Sequence, residues 1–426
     1  MLPIVYPKCA GIDVHKQFVV VYRITDTGRK ARQVEGRQYS TMPDELEALA
    51  EWLAEGGVTH VAMESTGVYW QCVHNALESR FTVYLVNAQA VKRMPGRKTD
   101  MKDAEWLATL MEHGLLQPSF IPERAQRELR ELTRYRQSVV EERSRFANRL
   151  QKVWQGTSFK LDNVATNIQG VTAQAILRAL LDGQTDPTVL ADLAQGSLRK
   201  KRDQLERALR GKLTAHQHFM LSDLLLQLDF LDERIAAVEA EIEAKLGQRP
   251  GFEAVVQLLD SIPGVNRMAA ATIVAEIGID MSRFPSDRHL TAWAGVAPGN
   301  NESGGKKLSG KARRGNKYLR RILTLAARAA AQTKATYLRA MYYRLKARRG
   351  GAKASLAVGR TILQMAYHMI QRQQTYIELG AEYFDTRDKV QAAQRLVKRL
   401  ERLGFDVQAK ERDGALNLGS LNKAAA

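Results

Sequence analysis

A chain of 426 residues with 45% hydrophobic and 26% charged side chains has room for two or three globular domains, and this composition excludes a disordered or fibrous protein. The formal charge of +18 points to a polyanionic partner. Cys9 and Cys72 form neither a disulfide framework nor a zinc spacing, no apolar run reaches the roughly 18 residues of a membrane helix, and Met1 to Pro7 lacks a leader's pattern. The expected setting is the cytoplasm, with no membrane partner.

The predicted elements begin as α/β. Strands are expected at 9–14, 17–25, 58–64 and 82–87, with a helix from Asp44 to Glu55 between Met42-Pro43 and Gly56-Gly57. A further helix carries KTDMKDAEWLATLM. The order strand, hairpin, helix, strand, helix, strand, helix is that of an RNase H-like fold. Asp13 falls in the first strand and Glu64 ends the strand at 58–64, while Asp100 and Asp103 share one helix face at i and i+3. Converged carboxylates repel unless a divalent cation sits among them. Hard oxygen ligands suit Mg²⁺, with Mn²⁺ as the alternative, and paired metals at such sites cleave phosphodiesters.

Pro118 and Pro122 mark a boundary, and the charged stretch from Glu123 to Gln155 has helical spacing. A loop-rich insert at 156–215 follows. Leu221, Leu224, Leu228, Leu231, Ile235, Val238 and Ile242 are then spaced alternately by three and four, a heptad seam. Two readings of the seam stand: an intramolecular hairpin with the 123–155 helix, or a dimer contact. LLDSIPGVNRMAAATIVAEIG (258–278) has the form of a helix-hairpin-helix. Gly264 in its turn is a candidate phosphate contact or a purely structural turn, and Asn266 stands where a second glycine is usual.

From Ser303 to Ile377 there are 18 Lys or Arg and no acid, so this one segment carries the entire charge excess. Lys306, Lys307, Lys311, Arg313, Arg314, Lys317, Arg320 and Arg321 are its candidate nucleic-acid contacts. Tyr318, Tyr337, Tyr342 and Tyr343 interleave with these cations, placed either to stack on bases or to pack in a core. Ser303, between Glu302 and Gly304-Gly305, is sterically open beside positive charge, which suits a nucleophile toward phosphorus but equally an ordinary loop serine of the kind most Ser-Gly pairs are; Ser309 is a similar loop serine.

GIDVHK, MESTGVYW and KTDMKDAEWLA, together with SIPGVNRMAAATIVAEIG, FPSDRHLTAWAGVAPGNNESGGK and RGNKYLRRIL, resemble the two blocks of the DEDD insertion-sequence transposases. The resemblance covers roughly residues 8–115 and 255–375. It implies a RuvC-like domain at 1–117 and a central helical, coiled-coil and dimerisation region at 118–250. It also implies a serine-bearing helical domain at 251–404, while the polar, Gly-containing stretch at 405–426 reads from its own composition as a disordered tail. It implies metal ligation by Asp13, Glu64, Asp100 and Asp103, and a nucleophilic role for Ser303 in NESGG. A phosphoserine–DNA intermediate, a composite site shared between subunits of a dimer or tetramer, and guidance by a bridge RNA pairing with target and donor DNA follow from the same resemblance. The alternative is a Holliday-junction-type endonuclease using the acids and water. A scaffold with an inactive RNase H-like fold is a third reading.

Overall fold

The structure is a computed structural model. It describes residues 3–25, 33–64, 67–87, 100–165, 167–299, 301–303, 306–310, 312–387 and 389–407, so the expected tail lies almost wholly outside the described residues. The chain divides into two compact units, Met1–Glu123 and Arg124–Ala426.

The first unit is built on five strands: β1 (Cys9–Val14), β2 (Phe18–Thr25), β3 (Gln33–Ser40), β4 (His60–Glu64) and β5 (Thr82–Val86). Their order is β3-β2-β1-β4-β5. The β1–β2 and β2–β3 pairs are antiparallel, and β1–β4 and β4–β5 are parallel. Both parallel pairs need crossovers, and α1 (Pro43–Glu55) and α2 (Trp70–Leu77) are helices of those connections. Strand alternation then sorts the side chains. Ala10, Ile12, Val61 and Met63 pack with Leu49 and Leu53 of α1 and Val73 and Leu77 of α2. Cys9, Ala62 and Val86 face the other way, onto Leu107, Ala108 and Met111 of α3 (Asp100–Glu112).

Gly11 decides how closely α3 can lie on the sheet. A Cβ there would stand 2.2 Å from the Ala104 carbonyl oxygen and 2.3 Å from the Ala108 nitrogen. Glycine is therefore required by backbone contact, since no rotamer change could relieve such an overlap.

The second unit opens with α4 (Arg124–Gln155), which packs along α8 (Ala215–Gly247). Ion pairs Lys245–Glu128 at 3.0 Å, Arg136–Glu239 and Arg143–Asp232 run in opposite senses along the two helices, so they form an antiparallel hairpin. The heptad seam is filled within the chain: Leu221, Leu224, Leu228, Leu231, Val238 and Ile242 are buried, and Ile235 is half-buried. A Thr214–Gln217 capping box starts α8.

Residues 156–215 are not the loop they read as. They form α5 (Val171–Leu181), α6 (Pro187–Asp192), α7 (Arg202–Ala208) and two short 3₁₀ turns. Leu161, Ile176, Leu190 and Leu205 close a separate core with Trp154, Leu221, Leu224 and Leu228 at one end of the hairpin.

At the other end lies the largest core, built from α9 (Pro250–Asp260), α10 (Arg267–Ile277), α11 (Asp287–Trp293), α12 (Lys317–Ala330), α13 (Tyr337–Arg349) and α14 (Gly351–Arg372). Two short helices follow, α15 (Tyr383–Arg387) and α16 (Lys389–Glu401). Among the described residues, no helix is long and apolar enough to cross a membrane.

Candidate active site

The strand register brings the acids to one end of the sheet. The last parallel pair of β1 and β4 is Ile12 with Met63, so Asp13 and Glu64 are the next residues on neighbouring strands. By alternation both share the face of Cys9 and Ala62, which is the face that α3 covers. Helix α3 runs antiparallel to β1. The Glu112 carbonyl accepts from Val5 and Tyr6, the Ala108 carbonyl lies 3.5 Å from Cys9 Sγ, and Ala104 abuts Gly11. Continued by one step, that register sets the first turn of α3, with Asp100 and Asp103, beside Asp13. The close approach at Gly11 is thus what brings a helical acid to a strand acid.

Asp13 is mostly buried, with 14% of its side chain exposed, and His15 Nε2 lies 3.1 Å from its Oδ2. The His15 ring also packs on Phe18 at 4.5 Å. The sequence signal for this pair is the i+2 spacing of His15 from Asp13 in GIDVHK, which the tight β1–β2 turn folds back. Glu64 and Asp103 are half-buried, and the Asp100 side chain lies outside the described residues. Among the described residues, no three His, Cys, Asp or Glu side chains form a ready-made metal cluster. The donor set nonetheless fits a divalent cation in kind: all four candidates are carboxylates, and an oxygen-only set suits a hard ion.

In the second unit, β6 (Asn301–Ser303) and β7 (Lys306–Ser309) form a hairpin in which Ser303 pairs with Lys306 and Asn301 with Ser309. The two serines are thereby distinguished. Ser303 ends its strand at the turn, and Ser309 sits at the open end. Gly304 and Gly305 lie outside the described residues, as does Lys311.

Arg313, Arg314, Lys317 and Arg320 are exposed, while Arg321 ion-pairs with Glu141 of α4. Lys306 and Lys307 are placed by backbone alone, on β7. The four tyrosines separate. Tyr337 stacks on Phe384 at 5.1 Å, Tyr342 packs against the core, and Tyr318 lies under Arg134 at 4.4 Å. Tyr343 is 42% exposed, with Arg339 at 5.2 Å and Lys346 at 5.6 Å from its ring. An exposed ring flanked by cations can meet a base and its phosphate together.

Gly264 lies against the backbone of α12. Its φ is +86°, and a Cβ would fall 2.3 Å from Ala330 N and 2.4 Å from the Ala326 carbonyl oxygen of α12. Asn266 takes φ −95° and caps α10, its side chain accepting from Ala269 N at 2.9 Å.

Comparison with known proteins finds two matching stretches, one toward each end of the chain. Residues 10–159 match a DEDD transposase family, and residues 256–343 match the transposase IS116/IS110/IS902 family. The chain is an IS110-type transposase.

The transposase is 24% identical over 382 residues to the transposase for insertion sequence element IS1111A of Coxiella burnetii, covering 87% of this chain and 91% of that one. A probable family 20 transposase of Pseudomonas aeruginosa is 25% identical over 271 residues, 63% of this chain and 70% of its own. The solved RuvC structure of Thermus thermophilus is similar over 26% of this chain and 99% of its own, at 17% identity and a TM-score of 0.21. A transposase cleaves DNA and transfers strands.

Proposed function

We propose that this transposase acts through a composite site, with the carboxylates of one subunit and Ser303 of another serving one DNA phosphate. The observation that carries the reading is the register that sets Asp13, Glu64 and the first turn of α3 at one sheet end. Asp13, Glu64, Asp100 and Asp103 would hold Mg²⁺ or Mn²⁺, which when bound orients a DNA phosphate and offsets its charge.

Ser303 Oγ attacks phosphorus, forming one P–O bond as a backbone P–O bond breaks and releases a DNA hydroxyl. The phosphoserine keeps the bond energy, so a hydroxyl of an exchanged strand can reverse the step without a high-energy cofactor. Tethering gives the serine the advantage of proximity. A Holliday-junction-type endonuclease would spend the same acids on water; the placement of Ser303 at the hairpin turn, beside Lys306, favours the serine.

The resemblance to bridge-RNA-guided recombinases supports a non-coding RNA as partner, pairing with target and donor DNA. The acid-free segment, whose Arg313, Arg314, Lys317 and Arg320 are exposed, suits either nucleic acid, and the Gly264 turn is retained as a weaker phosphate contact through its backbone. Changing the target-pairing loop of the RNA encoded beside the gene is expected to redirect cleavage to the matching DNA; cleavage that ignores the RNA sequence would sink this guidance.

Association into a dimer, and a dimer of dimers, is supported by the outer face of α8. Phe219, Leu226 and Phe230 there are 67%, 68% and 56% exposed, on the side away from the filled seam. Leu226→Glu with Phe230→Glu should lower the mass seen by light scattering while Leu228→Glu, in the seam, should unfold the hairpin. An unmutated monomer, with and without RNA, would contradict the reading.

A further inference from the structure

The segment that carries Ser303 leaves the helical core after α11 and returns to it at α12. Its two ends meet. Gly295, at φ +72°, lies so close to Gly315 that a Cβ on it would stand 2.9 Å from Gly315 N and Cα, and one on Gly315 would stand 2.4 Å from Gly295 N. The residues between form a closed loop whose neck is two glycine backbones in contact.

The next residue, Asn316, uses both ends of its amide. Its oxygen accepts from Tyr318 N and Leu319 N, each at 3.1 Å, and so caps α12. Its Nδ2 donates at 2.5 Å to Oε2 of Glu276. The cap alone would be met as well by Ser or Asp. The second bond needs a donor on a separate arm that reaches Glu276: ionised Asp has no donor, and the single hydroxyl of Ser is too short to span both partners.

Glu276 is fully buried on α10, and α4 holds it from the other side. Arg134 reaches both of its oxygens at 2.7 and 2.8 Å, and Arg130 lies 3.4 Å away. Arg130 also donates to the Ala275 and Glu276 carbonyls at the C-terminal end of α10, joined there by Gln126 at 3.0 Å. Burial pushes the Arg130 guanidinium down to about 10. The Arg134 guanidinium covers Tyr318, the second residue of α12. A carboxylate buried this deeply is tolerated only because charged and hydrogen-bonded partners surround it. Such a network fixes its members' positions more firmly than apolar packing would.

We infer that Asn316, clamped by Glu276 and Arg134, is a positioning residue that fixes the neck of the serine-bearing loop and so aims Ser303 at the DNA phosphate. The inference rests on the reading of Ser303 as nucleophile, and its test is built to fail separately from that reading. Asn316→Ser keeps a cap oxygen but is too short to donate to Glu276. Asn316→Asp keeps the cap and sets two carboxylates face to face. Glu276→Gln combined with Asn316→Asp restores one bond with donor and acceptor exchanged.

The full-length protein with its RNA is assayed in three ways: thermal melting, amide hydrogen exchange without DNA, and the rate of covalent protein–DNA adduct formation. For Asn316→Ser the melting point is expected to stay within about 3 °C, about 1 kcal/mol in a unit of this size. Exchange in peptides covering 296–315 should quicken at least about 10-fold and adduct formation slow at least about 10-fold, since small misplacements of a reacting group carry such costs. Asn316→Asp should be slower still, and the double exchange should recover most of the rate.

Unchanged exchange at 296–315, or an adduct rate equal to the unmutated protein's, would overturn the inference. So would a rate loss matched by melting of the whole unit. Ser303→Ala is run in parallel: an adduct that survives it removes the serine reading, and with it the aim of the clamp, while the exchange data still report whether Asn316 fixes the neck.

Discussion

Asp13→Asn and Asp103→Asn are each expected to lower DNA cleavage by about 10³-fold or more while leaving the fold and RNA binding intact. Asparagine keeps the size of aspartate, so strand β1 and the first turn of α3 lose no packing. What it loses is a charged oxygen ligand and a partner for His15, whose Nε2 lies 3.1 Å from Asp13. A bound cation contributes several kcal/mol of charge stabilisation in the transition state, and each 1.36 kcal/mol is tenfold in rate. The check is cleavage of labelled duplex alongside RNA affinity and a melting curve. If both variants also lost RNA binding, the acids would be structural. If both cleaved as the unmutated protein does, the acids would carry none of the chemistry and the RNase H-like domain would be a scaffold only.

The second large effect is one of stability. Gly264→Ala is expected to destabilise the helical core by about 2–5 kcal/mol, from a left-handed backbone that costs an alanine roughly 1–2 kcal/mol and an overlap that costs roughly 1–3. The overlap is with backbone: Ala330 N at 2.3 Å and the Ala326 carbonyl oxygen at 2.4 Å from the new Cβ. Side-chain repacking cannot relieve it, so α10 and α12 must part. A glycine kept for phosphate contact would behave otherwise. Its alanine variant would melt normally and bind DNA more weakly, with a smaller salt dependence. Differential melting and salt-dependent binding on the same variant separate the two.

How far the sequence carried this reading depends on the range of each signal. Asp13 and Glu64 were legible because each lies at or next to the end of an apolar strand, and a parallel neighbour sets strand ends side by side. Gly11 was not read as decisive, since its partners Ala104 and Ala108 lie more than 90 residues on. The seam from Leu221 to Ile242 showed its spacing but not its partner; ion pairs such as Lys245–Glu128 bind it to α4. Residues 156–215 misled because their helices are only 6 to 11 residues long and glycine and proline punctuate them. Glu276 and Asn316 carry no local signal. They are 40 residues apart, and each alone reads as an ordinary helix-end polar residue.

The most direct measurement of the central claim is a denaturing gel of the protein with its RNA, Mg²⁺ and labelled duplex bearing the element's end junction. The account predicts a label that stays on the protein, lost with Ser303→Ala and with Asp13→Ala and kept with Ser309→Ala, whose serine sits at the far end of the hairpin opposite Asn301. Cleavage without any adduct, indifferent to Ser303, would contradict it and leave a nuclease that uses water.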